Sequence, residues 1–421
     1  MGLRRILERT RLRGETTRHT ALVVAANASR LTAQALYFVA LARSIGPHNF
    51  SYFSSAFALA VILAPFIGCG SGSLIIRNCS RNPSLLPSYY GNAITLTGIT
   101  FVIAIPVYCL IINSSIGESG WPIALSVLLC ELGITKIQEI TAQAFQSQTK
   151  IVTIAWNTII TSAFRLIAGA TGLAFANENI SAWLLLYISS AFIPCALITT
   201  LFLKRHGVKF SLFTREIGEG LKFSIGISSQ GVYNDADKLI IPRYESAAIA
   251  GNYAAAYKVV DVAFSPIRAL LTVTYPKFFV AGASGITSTL DLARRYLPAT
   301  LGLGLLGSAG LYICAGLATV ILGEGYAETS LVLKALCVIP TLRALHFLLA
   351  DALTGANYQG VRSFIQVSIA ALNIGLNFIL IPRMGWLGAA ITSVVCDVLL
   401  CITLYIAAVK LKKRDSARCI T

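Results

Sequence analysis

Residues 386–409, WLGAAITSVVCDVLLCITLYIAAV, decide the fold class: the run from Trp386 to Val409 carries a single charge, Asp397. At about 1.5 Å of rise per residue a helix of this length reaches about 36 Å, enough to cross the hydrocarbon of a bilayer, about 30 Å thick. A membrane strand would need only about ten residues with strict alternation, which this run lacks. Working outward, runs of the same kind recur at 20–42, 50–76, 87–112, 121–146, 151–176, 181–203, 218–244, 252–280, 296–322, 329–355 and 361–381, which makes twelve. The spacing therefore predicts an all-α, polytopic membrane protein. Composition agrees, since 56% of the 421 residues are apolar and only 12% are charged, about half the share in a soluble domain.

The net charge of +16 is mostly a topology signal. An even number of spans puts both termini on one side. Of the 34 Lys and Arg, 23 fall in the N-terminal tail, the loops on that side and the C-terminal tail, while only Arg43, Arg243 and Arg383 fall on the other. By the positive-inside rule that side is cytoplasmic, and no nucleic-acid partner is needed to explain the excess. The segment before Thr20 places Leu3, Ile6 and Leu7 among arginines and reads as an interfacial helix, with no cleavable leader. The longest polar connection, 204–221, divides the chain into halves 1–203 and 222–421 of six spans each. Because six is even, both halves enter the membrane the same way, and the expectation is two pseudo-symmetric six-helix bundles. Tyr52 and Pro65 in one half echo the spacing of Tyr253 and Pro266 in the other.

Setting aside the charges at span ends that are counted with the loops, eight basic residues remain inside the spans (Arg30, Lys136, Arg165, Lys238, Lys258, Arg268, Lys334 and Arg343), with seven acids: Glu131, Glu139, Asp235, Asp237, Asp261, Asp351 and Asp397. At roughly 3 kcal/mol for each charge at a lipid-facing helix centre, these fifteen would cost on the order of 45 kcal/mol. They must face protein or water. Singly, each reads as a structural ion pair or a snorkelling charge, and Lys238 and Lys334, near span ends, read so most strongly. As a set they crowd onto particular spans of both halves, which predicts a central hydrated cavity. Its slight basic excess suits an anionic substrate, and arginine suits a diphosphate because its planar fork makes bidentate contacts. His346, beside Arg343, reads as a satisfied polar core residue.

Enzyme chemistry finds little footing. The chain has no GxSxG, Walker-type or HExxH motif, and its aqueous loops are too short for a catalytic domain. A membrane-embedded lipid-linked glycan transferase using intramembrane Asp and Arg stays open as an alternative. The ten cysteines lie mostly within apolar runs without CxxC or Cys/His clusters, so we expect small core residues, with no metal site and no cofactor.

Three blocks carry a resemblance. They are ALYFVALARSIGPHNFSYFSSAFAL (35–59), DKLIIPRYESAAIAG followed by NYAAAYKVVDVAFSPIRALLTVTYPKFF (237–279), and ALNIGLNFILIPRMGWLGAAITS (371–393). Together they resemble the polysaccharide transporters of the multidrug/oligosaccharidyl-lipid/polysaccharide exporter superfamily. The resemblance implies a fold of two six-helix bundles around a V-shaped cavity. It implies a flippase that carries an undecaprenyl-diphosphate-linked oligosaccharide repeat unit, for O-antigen, capsule or exopolysaccharide, across a bacterial inner membrane, with membrane lipid and a polysaccharide polymerase as partners. Arg30, Arg165, Lys258, Arg268 and Arg343 would then meet the diphosphate, and Asp261, Asp235, Asp237 or Glu131 would couple transport to a proton or ion. Asp397, on a span expected to be peripheral, departs from the pattern. A cation-coupled drug exporter of the same fold is the nearer alternative, and the basic excess argues against it.

Overall fold

The computed structural model describes the backbone of residues 2–80, 82–175 and 179–418, and side chains from residue 29 onward except at 151, 214–216, 219, 222–223, 226–227, 276 and 416–418. The amphipathic face expected before Thr20 lies outside the described side chains. Among the described residues there is no strand.

The helices are α1 (Gly2–Leu63), α2 (Ser71–Cys79), α3 (Leu86–Ile112), α4 (Trp121–Val127), α5 (Thr135–Ser147), α6 (Ile151–Phe175), α7 (Ile180–His206), α8 (Thr214–Tyr244), α9 (Ala247–Gly282), α10 (Ile286–Ile313), α11 (Leu317–Leu322), α12 (Thr329–Leu336), α13 (Ile339–Gly355), α14 (Gln359–Met384) and α15 (Trp386–Arg418). Among the described residues, twelve passes emerge when breaks are taken into account. Helix α1 supplies two, because Gly46 adopts φ 70°, ψ 169° just before Pro47. Helices α4 and α5 join through a π-helical turn, Leu128–Ile134, into one. Helices α12 and α13 form another, bent by 46° where Pro340 starts α13. Seven stretches are long and apolar enough to qualify as spans by composition alone. Helices α8 and α9, which carry much of the intramembrane charge, are not among them.

Two spans differ from their expected extents. The sequence predicts a second span unbroken to Ile76, but the chain breaks at Gly68, Cys69 and Gly70, all with positive φ, before α2 begins. The tight passage has a reason: a Cβ on Gly70 would sit 2.4 Å from the Gly220 carbonyl oxygen, and one on Gly220 would sit 1.9 Å from that of Cys69. Only two bare backbones can meet there. The ninth span is expected at 296–322, yet α10 starts earlier, at Ile286, and stops at Ile313. Arg294 and Arg295, loop residues on the sequence reading, are therefore inside α10. The echo of the two proline positions does not extend to conformation, since Pro65 belongs to a 3-10 turn ending its helix whereas Pro266 lies within continuous α9.

By internal contacts the chain forms two compact units. The first comprises Met1–Ile45, Leu63–Ile111 and Trp121–Ile225, and the second Gly46–Ile62, Ile112–Gly120 and Gly226–Thr421. The first unit packs Ile75, Cys79, Tyr90, Ile140, Phe145 and Phe202 into a core, with Tyr90 Oη 3.0 Å from Thr141 Oγ1. The second centres on Tyr253, Tyr257 and Val260 of α9 against Leu333 and Leu336 of α12. Asn252 fixes α12 by accepting from the Thr329 N–H at 2.9 Å while donating to the Gly325 carbonyl at 3.2 Å. Gly251 lets α9 approach the Pro47 carbonyl, whose oxygen would lie 1.9 Å from an added Cβ.

Candidate functional site

The second unit contains a polar cavity of about 560 Å³. One wall is a stripe on α9. Tyr257, Asp261, Phe264, Arg268, Thr272 and Tyr275 line it, a succession of three- and four-residue steps that keeps all six on one helical face, with Lys258 beside them. Gln230, Asn234 and Asp235 of α8, Arg343, Phe347 and Asp351 of α13, and Arg362 in the first turn of α14 also line it. Four cations (Lys258, Arg268, Arg343, Arg362) thus face three acids.

Arg343 is the hub. Its side chain is 5% exposed, and its guanidinium donates to Asp261 Oδ1 at 3.0 Å and to Asn234 Oδ1 at 3.3 Å. The planar fork can serve two acceptors on different helices at once, which an ammonium cannot do with the same geometry. Arg362 donates to Thr354 Oγ1 at 2.8 Å and stands 3.8 Å from Asp351. The Lys258 ammonium lies 4.9 Å from the centre of the Phe57 ring, and the Arg268 guanidinium 5.5 Å from that of Phe264. Both are cation–π contacts, which steady a cation without neutralising it.

Behind this wall lies a second, buried layer. The Lys238 ammonium donates to Asp235 Oδ1 at 2.7 Å and to the Asn234 carbonyl at 2.8 Å, and stands 3.9 Å from Asp237. Asp237 accepts from Tyr253 Oη at 2.6 Å and from the Lys238 backbone N–H at 2.8 Å. Asp397, 1% exposed, accepts from Tyr233 Oη and lies 3.2 Å from His346 Nε2 and 4.0 Å from Arg343 Nε. Asp397, peripheral on the sequence reading, is thus a buried anchor of the cavity wall, and His346 belongs to its surroundings.

Of the residues picked from sequence, Lys258, Asp261, Arg268, Arg343 and Asp235 are brought together in this cavity, and Asp237 sits behind it. Arg165 and Glu131 belong to the first unit, where they pair at 3.3 Å. Tyr187 Oη donates to Glu131 at 2.6 Å, and the Arg165 guanidinium lies 4.9 Å and 5.6 Å from the Tyr187 and Tyr37 ring centres. Glu131 is carried by the π-helical turn, a local distortion often found where a side chain must be aimed. Arg30 is an exposed residue of α1. Arg362 escapes sequence reasoning because it stands beside a loop, and Tyr257, Phe347, Asn234 and Gln230 carry no charge to draw notice. Among the described residues no group of three His, Cys, Asp or Glu is arranged for a metal ion.

An all-helical chain of twelve passes, seven of them long and apolar enough to cross a bilayer by composition alone, with a charged cavity in its second unit, defines a polytopic membrane protein. Solved structures share that fold. An inward-facing multidrug-resistance MATE family transporter of the MOP superfamily is 14% identical, with a TM-score of 0.77 over 93% of this chain and 99% of that one. An outward-facing MATE family transporter gives 0.63 at 14% identity, over 93% and 96%. The lipid II flippase MurJ in an inward closed conformation gives 0.65 at 12% identity, over 92% and 87%. At these identities the likeness is one of fold, and these neighbours are transporters and flippases, not enzymes. No curated protein sequence matches the chain. The family described as polysaccharide biosynthesis protein matches residues 17–281, and the chain belongs to that family. Two of the three blocks that carry the sequence resemblance lie inside the matched range.

Proposed function

We propose that the chain is a flippase that moves an undecaprenyl-diphosphate-linked oligosaccharide repeat unit from the cytoplasmic to the periplasmic leaflet of a bacterial inner membrane. It would serve O-antigen, capsule or exopolysaccharide synthesis, feed a polysaccharide polymerase, and keep both termini in the cytoplasm. The observation that carries this reading is the cavity of the second unit, where Lys258, Arg268, Arg343 and Arg362 face Asp235, Asp261 and Asp351. Arg343 is buried in the wall against Asp261 and Arg362 is turned to Asp351. Lys258 is half-buried and Arg268 exposed where they line the cavity, so these are the two cations a diphosphate reaches first. Charge-assisted hydrogen bonds to phosphate are short and strong. Phe347 and Tyr275, both half-buried where they line the cavity, offer flat faces for sugar rings beside them. Membership of a polysaccharide biosynthesis family supports a glycan-bearing substrate.

The mechanism we infer is alternating access of the halves 1–203 and 222–421. Asp261 is the acid we assign to coupling, because it both lines the cavity and holds Arg343, so a change in its charge would release the hub of the wall. Asp235, Asp237 and Glu131 are the further coupling candidates, and Arg30 and Arg165 the first unit's candidate phosphate ligands. Reconstitution tests the function. Liposomes containing the purified full chain are expected to move an undecaprenyl-diphosphate-linked oligosaccharide between leaflets faster than protein-free liposomes. Equal rates, with the protein folded and inserted, would overturn the reading.

A further inference from the structure

A second cavity of the second unit has a different chemistry. About 460 Å³ of space lies between α10, α13 and α15. Its floor is made of buried residues, Ala293 (5% exposed), Leu348 (2%) and Ala408 (1%), while its flanks, Leu297, Ile402 and Tyr405, are 36%, 47% and 61% exposed. The groove exists because Ala293 and Ala408 are too small to fill the seam where their helices pass. Two cations also line it, Arg294 and Lys412, from the first part of α10 and the last part of α15. Apart from these, its lining is almost wholly apolar.

Its dimensions select an occupant. Along α15 the lining runs from Cys401 to Lys412, which at about 1.5 Å per residue is about 17 Å. That is close to half of the bilayer hydrocarbon, about 30 Å, and so the depth of one leaflet. An apolar slot one leaflet deep with cations at one end matches a lipid whose acyl chain lies in the slot and whose phosphate meets the cations. Basic pockets between spanning helices on the cytoplasmic side are suited to anionic head groups. In the orientation proposed above, the end carrying Arg294, Lys410, Lys412, Lys413 and Arg414 is the cytoplasmic one. A polyprenyl chain far longer than one leaflet fits this slot less well than an ordinary acyl chain.

We propose that the groove between α10, α13 and α15, lined by Arg294 and Lys412, is a binding site for an anionic phospholipid of the cytoplasmic leaflet. The site is separate from the substrate cavity and does not depend on the substrate assigned to it. Near the membrane surface each Lys or Arg contributes roughly 1 kcal/mol toward an anionic lipid, about 5-fold in affinity. Arg294 shares its charge with Asp291 at 3.6 Å and Lys412 is also engaged within the protein, so the preference for an anionic over a zwitterionic head group should lie between about 2-fold and the roughly 30-fold of two unengaged cations.

The test is native mass spectrometry of the delipidated full chain with dioleoyl phosphatidylglycerol or dioleoyl phosphatidylcholine, which share acyl chains and differ in charge. The expected result is a preference for phosphatidylglycerol in that range, lost in Arg294→Gln/Lys412→Gln and kept in Lys413→Gln/Arg414→Gln, whose side chains are exposed and do not line the groove. Ile402→Trp, at an exposed flank, should weaken both lipids by narrowing the slot. Equal binding of the two lipids by the parent protein, or equal loss in the two charge variants, would overturn the proposal. So would displacement of phosphatidylglycerol by an equimolar amount of undecaprenyl phosphate, which would assign the groove to the polyprenyl carrier.

Discussion

Replacing Lys238 by Met removes one ammonium while keeping a long, unbranched, apolar side chain in place. The ammonium has Asp235 at 2.7 Å, the Asn234 carbonyl at 2.8 Å, Asp237 at 3.9 Å and the Tyr257 ring centre at 4.2 Å. Its side chain and that of Asp237 are each 4% exposed. Two unit charges about 4 Å apart attract by about 4 kcal/mol at an effective dielectric constant near 20, and removing one partner of a buried pair costs about 3–5 kcal/mol. Asp235, at 20% exposure, can turn to water in the cavity. Asp237 cannot, but it retains its hydrogen bonds from Tyr253 and the backbone. These compensations place Lys238→Met at the lower end, about 3 kcal/mol of lost stability. Adding Asp237→Asn removes the stranded charge, since an amide oxygen still accepts from Tyr253, so the double variant should be more stable than Lys238→Met alone, with a coupling of about 2 kcal/mol. Reversible unfolding of the full chain in mixed micelles, followed by tryptophan fluorescence, measures both. A Lys238→Met protein within about 0.5 kcal/mol of the parent, the range of an inconsequential surface substitution, would refute the buried-layer argument. A double variant no better than the single one would refute it equally.

Three further outcomes are expected. Unfolding of Asp397→Ala should show a cost of about 1–3 kcal/mol from leaving the buried Tyr233 hydroxyl without its acceptor, while Arg343 keeps Asp261 and Asn234; Asp397→Asn, which keeps an acceptor, should cost about 0.5–1 kcal/mol, and equal costs would contradict the assigned role. In the first unit Glu131→Gln should cost about 1–3 kcal/mol through its weakened contacts with Arg165 and Tyr187, and an unchanged midpoint would mean the pair is not structural. Gly251→Ala should prevent normal folding, read as loss of the monodisperse peak on size-exclusion chromatography, because the new methyl meets the Pro47 carbonyl. Gly302→Ala is the matched control, with no atom within 4 Å of the added carbon and an expected gain of about 0.5–1 kcal/mol from helix propensity.

The α9 side of the site is legible in sequence for a physical reason. Asp261 and Arg268 are separated by two turns of helix, so a single periodic stripe places them on one face however the helix packs. Arg343 stands out as a lone arginine in an apolar run, but its partners, Asp261 on α9 and Asn234 on α8, depend on packing that no local pattern encodes. Lys238 lies near the end of its span and so reads as a snorkelling charge; α8 does end at Tyr244, as expected, but the ammonium is buried among Asp235, Asp237 and Tyr257, a setting made by packing and not by depth. Arg362 illustrates the opposite error: a charge beside a loop reads as topology, although the first turn of α14 turns it toward Asp351. Breaks are the least legible feature of the fold. The turn through Gly68, Cys69 and Gly70 depends on backbone meeting backbone at Gly220, a contact remote in sequence, and the π-helical turn under Glu131 has no distinctive composition.

The central claim is that Lys258 and Arg268 form the diphosphate-binding part of the cavity, and binding of farnesyl diphosphate to the purified full chain tests it most directly. Each cation should contribute about 1.5–3 kcal/mol through charge-assisted hydrogen bonds, so Lys258→Gln and Arg268→Gln should each weaken binding by about 10- to 150-fold, while farnesol, which lacks the diphosphate, should bind parent and variants alike. Undiminished diphosphate affinity in both variants, with the proteins folded, would contradict the account.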